Sequence, residues 1–93
     1  MSDLHPETGV RVRLDLRRTR EDGATYGVTL FFTDSLTEGS AEIPAAGPSE
    51  IAGLEDAPDY AKMAAKAFLR QTQSAHRTAG RWPRRVLRWR APK

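Results

Sequence analysis

Val10, Val12, Leu14 and Leu16 alternate with Arg11, Arg13, Asp15 and Arg17. Successive side chains of an extended chain point to opposite faces, so this period-two run predicts a strand with one aliphatic and one charged face. A helix would scatter the same residues around its circumference and bury some of the charges. The run therefore commits the chain to a sheet whose aliphatic side must be covered by something else. Arg20-Glu21-Asp22-Gly23 follows, ending in the Asp-Gly pair that favours a tight turn because glycine accepts positive φ. From Thr25 to Thr33 the alternation resumes, with Tyr26, Val28, Leu30 and Phe32 on one side and Thr25, Gly27, Thr29, Phe31 and Thr33 on the other. The two runs predict a hairpin with coincident apolar faces. Phe31 breaks the pattern: it is either capped by the following loop or left as an exposed contact point.

Beyond the hairpin the signals change. Ser35 to Gly39 reads as a turn, and Ser40 to Ile43 as a short third strand stopped by Pro44. Pro44 to Ala57 reads as a loop anchored by Ile51 and Leu54, long enough for a compact domain to be either functional, mobile or a pinned insertion. A helix follows, with Asp56 as its cap, Pro58 in the first turn and Asp59 near the positive end of the dipole. At 100° per residue, Tyr60, Ala61, Ala64, Ala67, Phe68 and Ala75 share the buried arc. Lys62, Lys66, Arg70, Gln73 and Arg77 share the opposite stripe, with Leu69 partly exposed among them. His76 and Arg77 suit the negative end and Gly80 supplies the stop. The last stretch, Arg81 to Arg90, reads as an edge strand with Leu87 and Trp89 on its core side and Val86, Arg88 and Arg90 on the other. Trp82, just before Pro83, is expected to be exposed.

These elements define an α+β fold in the order β-β-(β)-α-β: a small antiparallel sheet with one long helix on one face. Residues 1–9, with Pro6 and Gly9, are read as a flexible lead-in, and residues 10–93 as one domain. The expected core is Val10, Val12, Leu14, Leu16, Tyr26, Val28, Leu30, Phe32, Tyr60, Ala64, Phe68, Leu87 and Trp89. At about 25 cal/mol per Å² this core offsets the ordering entropy narrowly. A homodimer through the last strand's edge or the helix-free sheet face is consistent with that balance.

Charge is segregated along the chain. Residues 1–59 carry 12 acids against 5 arginines, net −7, while residues 60–93 carry 10 bases and no acid, net +10. From Asp34 to Asp59 there are 7 acids and no base. Either this acidic middle neutralises the basic elements internally, or the basic strand and basic C-terminal third attract an anionic partner. Arginine outnumbers lysine 12 to 3, which suits bidentate contacts to carboxylate or phosphate, although a bias towards Ala and Arg codons would give the same count.

Most catalytic chemistries lack their residues. The chain has no cysteine and two distant histidines, His5 and His76. It contains no HExxH, GxxxxGK[ST], GxGxxG or GxSxG, so no metal, cofactor or catalytic residue is assigned. No apolar run approaches the roughly 18 residues of a membrane span, and MSDLHPETG does not resemble a signal peptide. The expectation is a cytoplasmic protein that makes no membrane contact. The function expected is a non-enzymatic binding module that engages a protein partner. Its binding residues are Arg11, Arg13 and Arg17 on the sheet, Lys62, Lys66 and Arg70 on the helix, and Trp82, Arg84, Arg85, Arg88 and Arg90 at the end. The alternative is sequence-tolerant binding of a nucleic-acid backbone by the same surface, where arginines hold phosphates and indoles stack on bases. A small enzyme is the third reading and would require ionisable groups converging in a cleft.

Overall fold

The alternating runs form the expected hairpin: β1 spans Val10–Arg20 and β2 spans Gly23–Phe31 in a computed structural model that describes residues 4–92. Arg20 pairs with Gly23, so Glu21 and Asp22 alone make the connection. Gly23 does not owe its place to positive φ. Its strand passes so close to β3 that a Cβ would collide with the Ile43 carbonyl. Near its end β1 slips register between Leu16 and Arg18, with Arg17 as the extra residue. Leu16 is accordingly half-buried, whereas Val10, Val12 and Leu14 are fully covered.

Three further strands complete an antiparallel open sheet of order β4-β3-β2-β1-β5. β3 runs over Leu36–Pro44, well beyond the expected 40–43. The turn after β2 is tighter than the Ser35–Gly39 reading: Phe32 N–H donates to the Ser35 carbonyl at 2.8 Å, and Leu36 already pairs with Phe31. The Pro44–Ala57 segment is not wholly loop, because Glu50–Ala52 forms β4 on the outer edge of β3. Leu54 is buried and Ile51 packs partly against the core.

The helix α1, Asp59–Ala79, covers one face of the sheet, which makes the fold α+β as the sequence indicated. Pro58, extended at φ −60° and ψ 153°, occupies the N-cap without a side-chain hydrogen bond, so Asp56 is not the cap. Gly80 ends the helix in the left-handed region at φ 81°, donating to the His76 carbonyl. The buried helix stripe is Ala61, Ala64, Ala65, Phe68, Leu69, Thr72 and Gln73. It is rotated away from the expected arc: Leu69 is fully buried and Ala75 exposed. The Gln73 amide explains part of that rotation, since it donates to the carbonyls of Pro44 and Gly47 at 2.6 and 2.9 Å and ties the helix to the β3–β4 connection.

β5 spans Arg85–Arg90 and pairs with β1, later in the chain than the expected start at Arg81. Its faces are reversed relative to expectation. Leu14 lies opposite Val86 and Val12 opposite Arg88, so Val86, Arg88 and Arg90 share the helix side while Leu87 and Trp89 point to the open side. Leu87 and Trp89 are 39% and 49% exposed and do not belong to the core. Trp82 takes the core place instead. It is 8% exposed, edge-on to Tyr26 at 6.3 Å and stacked on His76 at 4.0 Å. The Tyr26 hydroxyl donates to the Pro83 carbonyl beside it. Burial of that phenol raises its pKa to about 12. Phe32 and Tyr60 pack against the core only in part, whereas Ala24, Ala41, Ile43, Leu54, Ala57, Ala61, Ala65 and Leu69 join it.

Candidate functional site

Because α1 covers one face, the opposite face of the sheet stands open, and strand pairing orders its side chains into rows. The first row is Trp89, Arg11, Phe31 and Leu36; the second is Leu87, Arg13, Thr29 and Glu38. The third is Arg85, Asp15, Gly27 and Ser40, and across the β1 bulge the fourth holds Arg18, Thr25 and Glu42. Gly27 leaves room on this face for the Arg17 guanidinium, which occupies the space that a Cβ would need.

The apolar end of this face is partly built by residues 5–8, which precede β1. His5 meets Phe31 edge-on at 5.4 Å and its Nδ1 lies 2.6 Å from the Phe32 carbonyl. Trp89 Nε1 donates to the Thr8 carbonyl at 2.8 Å, and Thr33 Oγ1 to the Glu7 carbonyl at 3.0 Å. Arg13 lies over the Phe31 ring at 5.1 Å, so Phe31 is covered from the preceding segment and from β1. Leu36, Leu87 and Trp89 remain exposed.

Asp15 organises the centre. Its carboxylate takes Arg13 Nε at 2.9 Å and Arg85 Nε at 2.7 Å, joining β1 to β5. On the far side Glu42 accepts from Arg20 at 2.8 Å and from the Thr25 hydroxyl. Among the described residues, Glu42 and Asp59 are the members of the acidic middle that form ion pairs, with Arg20 and Lys62 respectively. The acidic middle instead forms the other edge of the sheet: Glu38, Glu42 and Glu50 sit on β3 and β4, β2 carries no charge, and the arginines gather on β1 and β5. The sheet is thus charged at opposite edges with opposite signs.

The expected binding residues do not form one surface. Arg11, Arg13, Arg17 and Arg85 come together on the open face, and Arg84 and Arg85 line a depression of about 630 Å³ with Asp15 to Thr19 where β1 runs past the start of β5. Arg88 and Arg90 lie on the helix side, Arg90 over the Phe68 ring at 5.3 Å. Lys62 contacts Asp59 at 3.7 Å on α1, on the far side of the sheet. Lys66 and Arg70, with Gln73 and Arg77, line a separate depression against Gly47–Ser49. Trp82 is buried and offers no stacking platform. Sequence reading placed Leu87 and Trp89 in the core and gave Asp15 and Leu36 no role. Asp15 stood visible as the lone acid among the arginines of β1, whereas the orientation of β5 depends on its register with β1, which its own pattern does not encode.

No protein family matches this chain, and no similar curated protein or solved structure is found. Among the described residues no group of three or more His, Asp or Glu side chains gathers in metal-binding geometry, and no helix is long and apolar enough to cross a membrane.

Proposed function

We propose that this chain is a non-enzymatic binding module that engages a protein partner through the β1–β5 half of its open sheet face. One observation carries the reading: arginines and large exposed apolar side chains are interleaved on a face that no helix or strand among the described residues covers. Arg11, Arg17 and Arg85 stand beside Leu87 and Trp89 there, with Leu36 across the first row. Aromatic residues and arginine are the types that protein interfaces concentrate in their energetic centres. Nucleic-acid binding remains the second reading, favoured by Arg11, Arg17, Arg18 and Arg84, which have no carboxylate partner among the described residues. Asp15 at the centre of the face and the burial of Trp82 count against it, since phosphates are repelled by the one and bases cannot stack on the other.

The test is capture from nuclease-treated extract by the wild-type chain and by the Arg11→Ala/Arg17→Ala/Trp89→Ala variant. The expected result is a protein retained by the former and lost by the latter, while a Lys66→Ala/Arg70→Ala control retains it. A partner held equally by all three chains would remove the open face from the account. In a separate titration of the chain with duplex DNA, binding that weakens with a log–log salt slope of about −0.9 per neutralised phosphate would favour the second reading.

A further inference from the structure

The two edges of the sheet are finished differently. β4 offers three residues, Glu50–Ala52, and stops at Gly53. β5 offers six, Arg85–Arg90, and among the described residues no strand lies outside it. Leu16 N–H donates to the Arg84 carbonyl at 2.9 Å, and antiparallel pairing alternates inward and outward groups from there. The backbones of Val86, Arg88 and Arg90 therefore face β1, and those of Arg85, Leu87 and Trp89 face outward. Of these outward groups, the Leu87 carbonyl accepts a 2.9 Å bond from the neighbouring Arg88 guanidinium, a contact that an incoming N–H would displace.

We propose that the outer edge of β5 takes up an extended segment of another protein as a sixth strand, and that this segment is acidic on alternate residues. The proposal rests on the protein-binding reading above and specifies its mode and the chemistry of the partner. Main-chain hydrogen bonds to Arg85, Leu87 and Trp89 would supply the docking, and the side chains flanking the edge set its selectivity. On the helix side an added strand lies beside Arg88 and Arg90, and at the start of β5 it reaches the depression lined by Arg84 together with the open-face Arg17, Arg18 and Arg85. Carboxylates fit there. On the open side it lies beside Leu87 and Trp89, which accept apolar side chains.

The same arrangement selects against a second copy. Arginines along an edge strand are a common defence against edge-to-edge pairing. Pairing two β5 strands would bring the Arg88 and Arg90 rows together across the new ladder, where like charges are destabilising. That defence is specific to cationic strands. It leaves the edge open to an anionic one.

The probe is a capped six-residue peptide alternating Glu and Val, with its Lys/Val counterpart as control, titrated into the full chain and followed by amide NMR. Exchange of the Arg85, Leu87 and Trp89 amides is expected to slow at least tenfold with the Glu peptide and not with the Lys peptide. In an Arg88→Glu/Arg90→Glu variant the preference should reverse. Leu87→Pro removes an outward donor that β1 does not use, and should abolish binding with the far-ultraviolet spectrum unchanged. If Leu87→Pro unfolds, the exchange rates of the wild-type chain decide alone. Unchanged exchange at all three amides at millimolar peptide overturns the proposal. So does a wild-type dimer in sedimentation that protects these amides, or an oligonucleotide that protects them when the peptide does not. If a captured partner needs Arg11, Arg17 and Trp89 yet leaves the three amides exchanging as before, strand addition fails while the protein-binding reading stands.

Discussion

The two tryptophans of this chain sit on opposite sides of one sheet and serve different ends. Trp82 lies against Tyr26 and His76 under the end of α1 and is nearly inaccessible, while Trp89 lies on the open face, half exposed, with its indole N–H held by the Thr8 carbonyl. On the helix side, apolar residues from β1, β2, β3 and α1 meet in one buried cluster. On the open side, the folded chain presents arginines, a half-buried aspartate and three large exposed apolar side chains. The contrast separates what holds the fold from what the fold presents. Trp82→Ala should therefore cost about 3–5 kcal/mol, the range for truncating a buried aromatic. That is a large share of the roughly 5–15 kcal/mol that stabilises a domain of this size. Trp89→Ala should stay within about 1 kcal/mol, as surface changes do. Urea unfolding of both variants checks the pair, and equal losses would break the comparison.

Tyr26 gives the helix side a pH signature. Its phenol is held neutral by burial, with a pKa of about 12 against 10.0 in the unfolded chain. The folded pKa is raised, so this contribution is intact below pH 10 and is lost as the pH climbs from about 10 to about 12. The loss reaches at most about 3 kcal/mol, from about 1.4 kcal/mol for each pH unit. Tyr26→Phe should flatten that alkaline decline, while losing about 1 kcal/mol at neutral pH with the hydrogen bond to Pro83. In a Tyr60→Phe background, absorbance at the phenolate band reads Tyr26 alone, and ionisation with a midpoint near 10 would show that the ring is not sealed by Trp82.

Much of the helix side was legible in the sequence because it follows from local periodicity. The alternation of β1 and β2 named Val10, Val12, Leu14, Tyr26, Val28 and Leu30 as core, and all are buried. Pro58, Asp59 and Gly80 marked the helix ends for reasons of dihedral angle and dipole. What the sequence hid depends on contacts between distant segments. β4 is three residues of no particular pattern that become a strand because β3 offers an edge. Leu87 and Trp89 look like core by their spacing, yet the strand's own pattern does not say which side faces α1. Pairing with β1 decides that, and Trp82, beyond Pro83, fills the place they would have taken. The candidate site was legible as a collection of arginines. Their division between two faces was not.

The smallest expected effect on stability falls at the centre of the open face. Asp15 ties Arg13 and Arg85 at 2.9 and 2.7 Å, and because the Arg85 side chain is 66% exposed, solvent screening limits that pair to about 0–1 kcal/mol. Asp15→Asn should thus shift the urea midpoint little, even though it removes the only carboxylate among the β1 and β5 side chains. Its effect should appear in binding. Without the aspartate both guanidiniums become available to an outside anion, and the net charge at neutral pH rises from +3 by the one acid removed. Affinity for the alternating Glu/Val peptide should increase several-fold at low salt, and the gain should shrink as ionic strength rises, because screening reaches exposed charges first. Weaker binding in Asp15→Asn would carry a different lesson: Asp15 would then act by holding Arg85 in place at the start of β5, and the open face would owe its selectivity to a fixed guanidinium rather than to the sum of its charges.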